Sequence, residues 1–284
     1  MKYFTIPIGT PTHIFGIVCY TLFGILGCIF IQKMEQKKQK IFIFSLLLFG
    51  FILHFLKLAF APYKALLPKS IRKITFENIC AVSTLIFPFI FLSKNKYLKD
   101  YMFYMGVISG TAAILVPATD YYPYLNFDTC RFYLCHMVIG IAPLLMVVAN
   151  IHTLDYHRIW MLPILFLCVQ GLIAINDVIM VKCKLINQYP NFSLQFGVSQ
   201  KHEDMFGPFL ILLTGLCPSY LKTANIVLEG ITTSYVPVLW LIIPAFVYLS
   251  LLSFIIAIPF EKKHMRQDFQ TLSYKIKKMV KRNS

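Results

Sequence analysis

Ionisable and nucleophilic side chains occur inside stretches of this sequence that are otherwise apolar. The segment "TFENICAVST" (75–84) places Glu77, Cys80 and Thr84 at helical spacing, so the three side chains share one face of a predicted helix. A charged side chain inside a bilayer costs about 2.5 to 3.5 kcal/mol, so each one needs a partner, a cavity or a lipid headgroup. Such groups can bind a polar substrate, relay protons or supply a nucleophile.

Other apolar segments carry groups of the same kind. "CRFYLCHMVIGIAP" (130–143) places Arg131 four residues before Cys135 and beside His136 in the same segment, and a later segment ends with Asn176 and Asp177. The full set of candidate site residues is His13, His54, Glu77, Asn78, Cys80, Arg131, His136, Asn176 and Asp177.

The predicted depths of these candidates in the membrane are similar. Counting about 1.5 Å of rise per residue along antiparallel spans places Cys80 and His136 each about 8 to 10 Å below the same membrane surface. The other candidates fall at that level or nearer the surface. Glu77 and Arg131 are also explained by side chains that reach up to headgroups, and a thiol such as Cys80 is by itself usually an inert small hydrophobe. Several ionisable groups at one depth nevertheless favour a polar cavity.

Membrane helices are the elements that must position these groups. Of the 284 residues, 58% are hydrophobic and 14% are charged, and the mean hydropathy is +0.68. This composition indicates a polytopic membrane protein rather than a soluble domain. We predict an all-α transmembrane bundle of about seven spans. The predicted spans are residues 13–32, 41–60, 75–93, 102–118, 130–151, 159–181 and 234–259.

The remaining segments complete the predicted domain organisation. The helical domain covers residues 1–260, and residues 261–284 form a basic tail. In the tail, apolar residues recur at helical spacing among lysines, which favours an amphipathic helix on the membrane surface, with a solvated basic tail as the alternative. Residues 205–217 are apolar but short, so we expect a re-entrant or interfacial segment, with an eighth span as the alternative.

The distribution of charge predicts the orientation. The formal net charge is +15, and its lysines and arginines concentrate in residues 32–40, 93–100 and the tail. Because basic loops face the cytoplasm, the pattern predicts an N-out, C-in topology rather than nucleic-acid binding. Residues 62–73 are also basic but lie on the predicted outside, where we expect a short interfacial helix on anionic headgroups. We therefore expect a multi-pass membrane protein, in the cell membrane of a bacterial host, with membrane lipids as its partners.

Motifs for cofactors are weak. The eight cysteines show no metal-type spacing. His152, Asp155 and His157 in "HTLDYH" are potential metal ligands, but a short interfacial loop explains them better. We expect no cofactor and no metal. Gly106 and Gly110 form a small-x-x-x-small pattern that predicts close helix packing.

Four segments resemble the YwaF-like integral membrane proteins, whose eukaryotic relatives include a TMEM-class acyltransferase acting on ether lysophospholipids. The segments are "TPTHIFGIV", "LPKSIRKITFENICAVSTL", "RFYLCHMVIG" and "MFGPF". The resemblance implies about seven spans and a Cys/His pair as the acyl-transfer centre, which maps onto Cys80 and His136. The family's histidine two positions before the cysteine is Asn78 here, so His136 or His54 would have to act as the base.

Three functions are consistent with these residues. The leading hypothesis is a lipid acyltransferase that uses Cys80 as the nucleophile and His136 as the base in an outer-leaflet cavity, with Glu77 or Asp177 orienting the histidine and Arg131 holding a phosphate. The first alternative is a transporter or lipid-binding protein without covalent catalysis. The second is a non-catalytic scaffold.

Overall fold

Helical structure forms in each of the predicted spans. The computed structural model describes residues 6–61, 63–117, 126–187, 191–198, 208–222, 226–228 and 231–283. The first six helices are α1 (Pro11–Gln32), α2 (Gln36–Leu56), α3 (Ile79–Leu92), α4 (Lys96–Leu115), α5 (Phe127–Val148) and α6 (Met161–Lys182).

Polar caps fix where four of these helices begin. Thr10 accepts a hydrogen bond from the His13 amide at the start of α1, where Pro11 occupies the first turn. Asn78, Asn95 and Asn126 cap α3, α4 and α5 in the same way. Each cap satisfies a backbone N–H that has no partner within its helix, so the polar residue before the apolar run sets the boundary.

Five helical stretches among the described residues are long and apolar enough to cross a membrane. They are Pro11–Gln32, Gln36–Ala59, Phe127–Val148, Met161–Lys182 and Leu239–Lys275. The predicted third span is shorter than expected, because α3 has only 14 residues, or about 21 Å. The predicted fourth span is the 20-residue helix α4, which begins with charged residues and does not meet the same criterion. Five of the seven predicted spans therefore contain a helical stretch that is long and apolar enough to cross a membrane.

The α4–α5 contact forms the centre of the bundle. Helix α5 packs against α1, α2, α3 and α4. A Cβ added at Gly106 would lie 2.6 Å from the Ile139 carbonyl oxygen, and one at Gly110 would lie 2.7 Å from the Gly140 nitrogen. The predicted close packing at these two glycines is confirmed. By contrast, α1 exposes apolar side chains such as Phe15 and Leu26, as a lipid-facing helix does.

The basic segment between α2 and α3 differs from the expected single interfacial helix. It forms three short 3-10 turns, Lys57–Ala59, Lys64–Leu66 and Lys69–Ile74. Pro68 has no backbone N–H and restricts the residue before it, so a continuous α-helix cannot run through the segment. Leu66 and Leu67 are exposed between the basic residues, as expected at a membrane surface.

The C-terminal third is more irregular. Helix α7 (Pro208–Gly215) has eight residues, about 12 Å, which is too short for the alternative of an eighth span; residues 205–207 of that predicted segment lie outside the described ranges. Helix α8 (Ser219–Lys222) follows, and then strands β1 (Ile226–Leu228) and β2 (Ile231–Thr233) pair antiparallel, a small departure from the all-α prediction.

The last helical stretch continues from the bundle into the tail. A 3-10 turn (Leu239–Leu241), the short helix α9 (Ile242–Pro244) and a π-helical turn (Ala245–Leu249) lead into α10 (Ser250–Asn283). Helix α10 passes without a break through residue 260, the predicted domain boundary. Phe269 and Leu272 are exposed on it, in keeping with the amphipathic tail helix that the sequence predicts.

Candidate functional site

A network of buried ionic groups occupies the end of the bundle where α3 and α5 begin and α2 and α6 end. Glu77 lies just before α3 and pairs with Lys73 at 2.9 Å and with Arg72 at 3.8 Å. The Glu77 side chain is only 7% exposed. Its charge is therefore compensated by protein groups as well as by proximity to headgroups.

A second ionic group lies at the start of α5. Asp128 accepts hydrogen bonds from Arg131 at 2.9 and 2.6 Å, and the Tyr63 hydroxyl donates to its other oxygen at 3.0 Å. Burial and the negative charge of Asp128 raise the pKa of Tyr63, so this hydroxyl stays protonated and remains a donor. Arg131 is thus already paired with a carboxylate.

Lys57 is a buried basic residue. It is 5% exposed, and among the described residues its amino group has no side-chain hydrogen bond and no ion pair. Its ammonium lies 6.0 Å from the centroid of the Tyr63 ring. The charges of Arg131 and Glu77 both act on it. Since burying an unpaired charge is costly, this position suits an anionic ligand.

Two histidines flank these cations. His54 is buried, and its Nε2 atom has no hydrogen-bond partner among the described residues. The Nδ1 atom of His136 lies 2.7 Å from the Phe132 carbonyl oxygen, which can only accept a hydrogen bond. We therefore assign the proton of neutral His136 to Nδ1, which leaves Nε2 with a lone pair. Lys57 and Arg131 act electrostatically on both rings.

Cys80 lies in the first turn of α3. Its thiol is beside Ser109 of α4 and within electrostatic range of Cys135. The charges of Arg131 and Lys57 act on Cys135 in turn, so the cations and the two thiols form one continuous region. No hydrogen bond joins Cys80 and His136, both of which the structure describes. Their role as a catalytic pair stays a prediction.

The end of α6 contributes amide and carboxylate groups. Gln195, in the loop after α6, donates to Asp177 at 2.6 Å, while the other Asp177 oxygen is buried without a hydrogen-bond partner in the described chain. Asn176 donates to the Thr75 hydroxyl at 3.1 Å. Asp177 also lies within electrostatic range of Glu77 and Arg72, so α6 joins the same region as α3.

An apolar groove opens beside this region between α2, α3 and α6. Its volume is about 400 Å³. Phenylalanine and leucine side chains line most of it, and the polar exceptions are Thr75 and Asn176. The groove therefore offers an apolar surface that ends at polar groups, which matches the two parts of a lipid.

Two of the predicted supporting residues are committed to local structure. His13 accepts a hydrogen bond from the Gly9 amide on Nδ1, and its Nε2 lies 3.0 Å from the Leu115 carbonyl oxygen at the end of α4. Asn78 caps α3 by accepting from the Ala81 amide at 2.8 Å. Both residues lie at the same end of the bundle, where they fix the ends of helices.

The comparison with known proteins supports a membrane-protein family. A model of the TMEM164 family matches residues 8–194, about two thirds of the sequence. The chain belongs to the TMEM164 family. No curated protein and no solved structure matches it.

The TMEM164 match covers α1 to α6 and every candidate site residue, whereas α7 to α10 lie beyond it. It supports the TMEM-class part of the resemblance. The YwaF relationship and the acyl-transfer chemistry stay predictions.

Five members of the ionic network were absent from the predicted site. They are Lys57, Tyr63, Arg72, Lys73 and Asp128. Asp128 stands three residues before Arg131, and Lys73 stands four residues before Glu77, so helical spacing of opposite charges could have identified both. Tyr63 lies far along the chain from Asp128 and gives no comparable signal.

Proposed function

We propose that the chain is a membrane acyltransferase that moves an acyl chain between phospholipids through a thioester on Cys80. The buried Lys57 side chain is the observation that carries the proposal, because its amino group has no ion pair in the described chain where the thiols and histidines converge. The phosphate of a phospholipid supplies that anion. Since Arg131 is bound to Asp128, the phosphate pairs first with Lys57 rather than with Arg131 alone.

The apolar groove supports the lipid part of the proposal. Phe51, Phe55 and Phe89 line it, so an acyl chain can lie there while its ester reaches the polar residues Thr75 and Asn176. Both ends of the lipid then have a matching surface in the same half of the bundle.

The chemistry runs in two balanced steps. His136 Nε2 takes the proton of the Cys80 thiol, and the sulfur attacks the acyl carbonyl carbon of the donor lipid. The ester C–O bond breaks, and the protonated His136 gives its proton to the leaving glycerol oxygen. In the second step, His136 removes the proton from the hydroxyl of a lysophospholipid, whose oxygen attacks the thioester carbonyl carbon. The C–S bond breaks, and His136 returns its proton to the Cys80 sulfur, which restores the thiol.

Orientation and location belong to the same proposal. We place the site in the outer leaflet, with seven crossings, an external N-terminus, an internal C-terminus, and the cell membrane as the location in a bacterial host. The exposed basic segment between α2 and α3 then lies on the outer headgroups.

Lysophospholipid acylation tests the proposal. The purified protein is reconstituted in vesicles that contain a donor phospholipid with a labelled acyl chain and an unlabelled lysophospholipid. The assay measures the labelled phospholipid formed from the lysophospholipid. Cys80→Ala should abolish turnover, whereas Cys183→Ala, which removes an exposed thiol, should leave it unchanged. Unchanged turnover by the Cys80 variant would refute the role of this nucleophile.

Non-covalent lipid or solute transport is the second candidate. It is favoured by the absence of a hydrogen bond between Cys80 and His136, and by the buried Asp177 oxygen without a partner in the described chain. In this case substrate-dependent flux in vesicles would persist in Cys80→Ala and fail in variants of His136 and Asp177.

A further inference from the structure

A cluster of metal-ligating side chains lies at the opposite end of the bundle from the candidate site. The connection between α5 and α6 contributes Asp155 and His157, and α10 contributes His264. One ligand atom from each of these three residues lies within 4.8 Å of the others. This cluster joins two parts of the chain that are far apart in sequence.

Further carboxylates surround the two imidazoles. Oδ2 of Asp268 lies 3.5 Å from Nε2 of His157 and 3.8 Å from Nε2 of His264. Nδ1 of His157 is 3.0 Å from Asp155, and Nδ1 of His264 is 3.2 Å from Glu261. Each imidazole can therefore bind an ion through one nitrogen while its other nitrogen donates to a carboxylate, as histidines bound to metals do.

The surrounding structure holds both halves of the cluster in place. Asp155 caps the 3-10 turn Tyr156–Arg158, and Arg158 pairs with the buried Asp100 of α4. On α10, spacings of three and four residues put Glu261, His264 and Asp268 on one helical face. The Tyr156 hydroxyl donates to Asp268 at 2.6 Å and so links the turn to the helix.

The cluster is open to solvent. The side chains of His157 and His264 are 55% and 49% exposed, so an ion can reach them without a change in the fold. His152, the other histidine of the connection, is instead buried and bound to Asp100 at 2.7 Å. His152 therefore does not join Asp155 and His157, the grouping that the sequence analysis considered and did not favour.

We propose that His157, His264 and Asp155 bind one divalent transition-metal ion of the zinc type, with the Asp268 carboxylate beside the two imidazoles. Two imidazoles with carboxylates match the ligand preference of Zn²⁺, whereas Mg²⁺ and Ca²⁺ prefer oxygen ligands alone. The ion links the α5–α6 connection to α10 and fixes the start of the basic tail. This site replaces the expectation of no metal.

Metal titration of the full-length protein tests the site. The chain is purified in detergent without a polyhistidine tag, stripped with a chelator and titrated with Zn²⁺ by calorimetry and with Co²⁺ by visible absorption. We expect one ion per chain. The double variant H157A/H264A should bind at least about tenfold more weakly, whereas Glu35→Gln, which removes an exposed carboxylate elsewhere, should bind as the wild type does.

Thermal unfolding provides an independent readout. Because an ion that binds only the folded state stabilises it, Zn²⁺ should raise the unfolding temperature of the wild type and leave that of H157A/H264A unchanged. Circular dichroism shows whether the variant is folded. Equal Zn²⁺ affinity in the wild type and in the folded double variant would overturn the proposal, as would an equal stabilisation of the wild type by Mg²⁺.

Discussion

At the scale of single residues, Lys57 combines deep burial with an amino group that has no ion pair among the described residues. A buried lysine without an ion pair is rarely kept for the sake of stability. An apolar side chain of similar length would fill the space at a lower cost in folding free energy. Tyr63 and Arg131 hold its surroundings in place without neutralising it. The position therefore serves binding at the expense of stability.

Lys57→Met tests this separation of binding from stability. We expect the variant to unfold at the same or a higher temperature, because methionine fills the site without a charge, and to bind lysophospholipid at least about tenfold more weakly. Native mass spectrometry measures the bound lipid.

Lys38→Met is the control for this test, since the Lys38 side chain is 65% exposed. It should change neither property. Wild-type lipid affinity in Lys57→Met would contradict the anion site.

Unlike Lys57, Asp128 is expected to stabilise the fold. Asp128→Asn leaves the buried Arg131 without its anion, so we expect a loss of about 3 to 5 kcal/mol in the free energy of unfolding. Tyr63→Phe removes only the hydroxyl that donates to Asp128 and should cost about 1 kcal/mol. Denaturant unfolding in mixed micelles compares the two variants, and a smaller loss in Asp128→Asn than in Tyr63→Phe would refute the network.

The sequence predicted a similar depth for several polar residues but not how they pair. Spacing gives the face and depth of Glu77 and Asp177, whereas the rotation of each helix decides their partners. Asn78 was interpreted as a replacement for a family histidine, yet it also caps α3, a role that its place before an apolar run could have indicated. His157 and His264 lie too far apart in the chain for spacing to connect them.

At the scale of elements, the glycines of α4 determine how closely α5 approaches. Their Cβ positions fall against backbone atoms of α5, which cannot move aside as a side chain can. This contact fixes α5, whose first three turns carry Arg131 and His136. The small-x-x-x-small pattern predicted it correctly because close approach depends on residue size alone.

Gly110→Ala should therefore destabilise the bundle. The added Cβ meets Gly140 backbone atoms at 2.7 and 2.8 Å, so we expect a loss of about 1 to 3 kcal/mol and a lower unfolding temperature in detergent. Gly24→Ala is a matched control on α1, because nothing lies within 4 Å of its added Cβ. Equal unfolding temperatures for both variants would contradict the close packing.

Other elements were less predictable. The basic residues of 62–73 indicate a membrane surface, but a charge pattern does not distinguish one α-helix from three 3-10 turns. Helix α3 came out short because Asn78 caps it inside the predicted span. In both cases one residue, Pro68 or Asn78, determines the local conformation more strongly than the apolar periodicity does.

At the scale of the whole molecule, the two ends of the bundle have different chemistry. The end proposed to face outward holds the ionic network and the thiols, and the other end holds the histidine–carboxylate cluster. Composition and hydropathy were sufficient to predict a helical membrane protein. They could not predict the organisation after residue 194, where short helices and a β-hairpin interrupt the apolar pattern.

Cysteine labelling tests the proposed orientation. The exposed Cys168 and Cys183 are first changed to serine. Lys38→Cys is then introduced in the first turn of α2, and Lys64→Cys is introduced after its other end. A membrane-impermeant maleimide should label position 64 in intact cells and position 38 only after permeabilisation. The reverse pattern would show that the site faces the cytoplasm.

Direct detection of an acylated Cys80 is the measurement that tests the central claim most closely. Protein incubated with donor phospholipid in the absence of acceptor is digested and mapped by mass spectrometry, with and without hydroxylamine. We predict one acyl group on the peptide that contains Cys80, labile to hydroxylamine and lost when lysophospholipid is added. Transfer of the acyl chain to lysophospholipid with no acyl group on Cys80 would contradict the proposed mechanism.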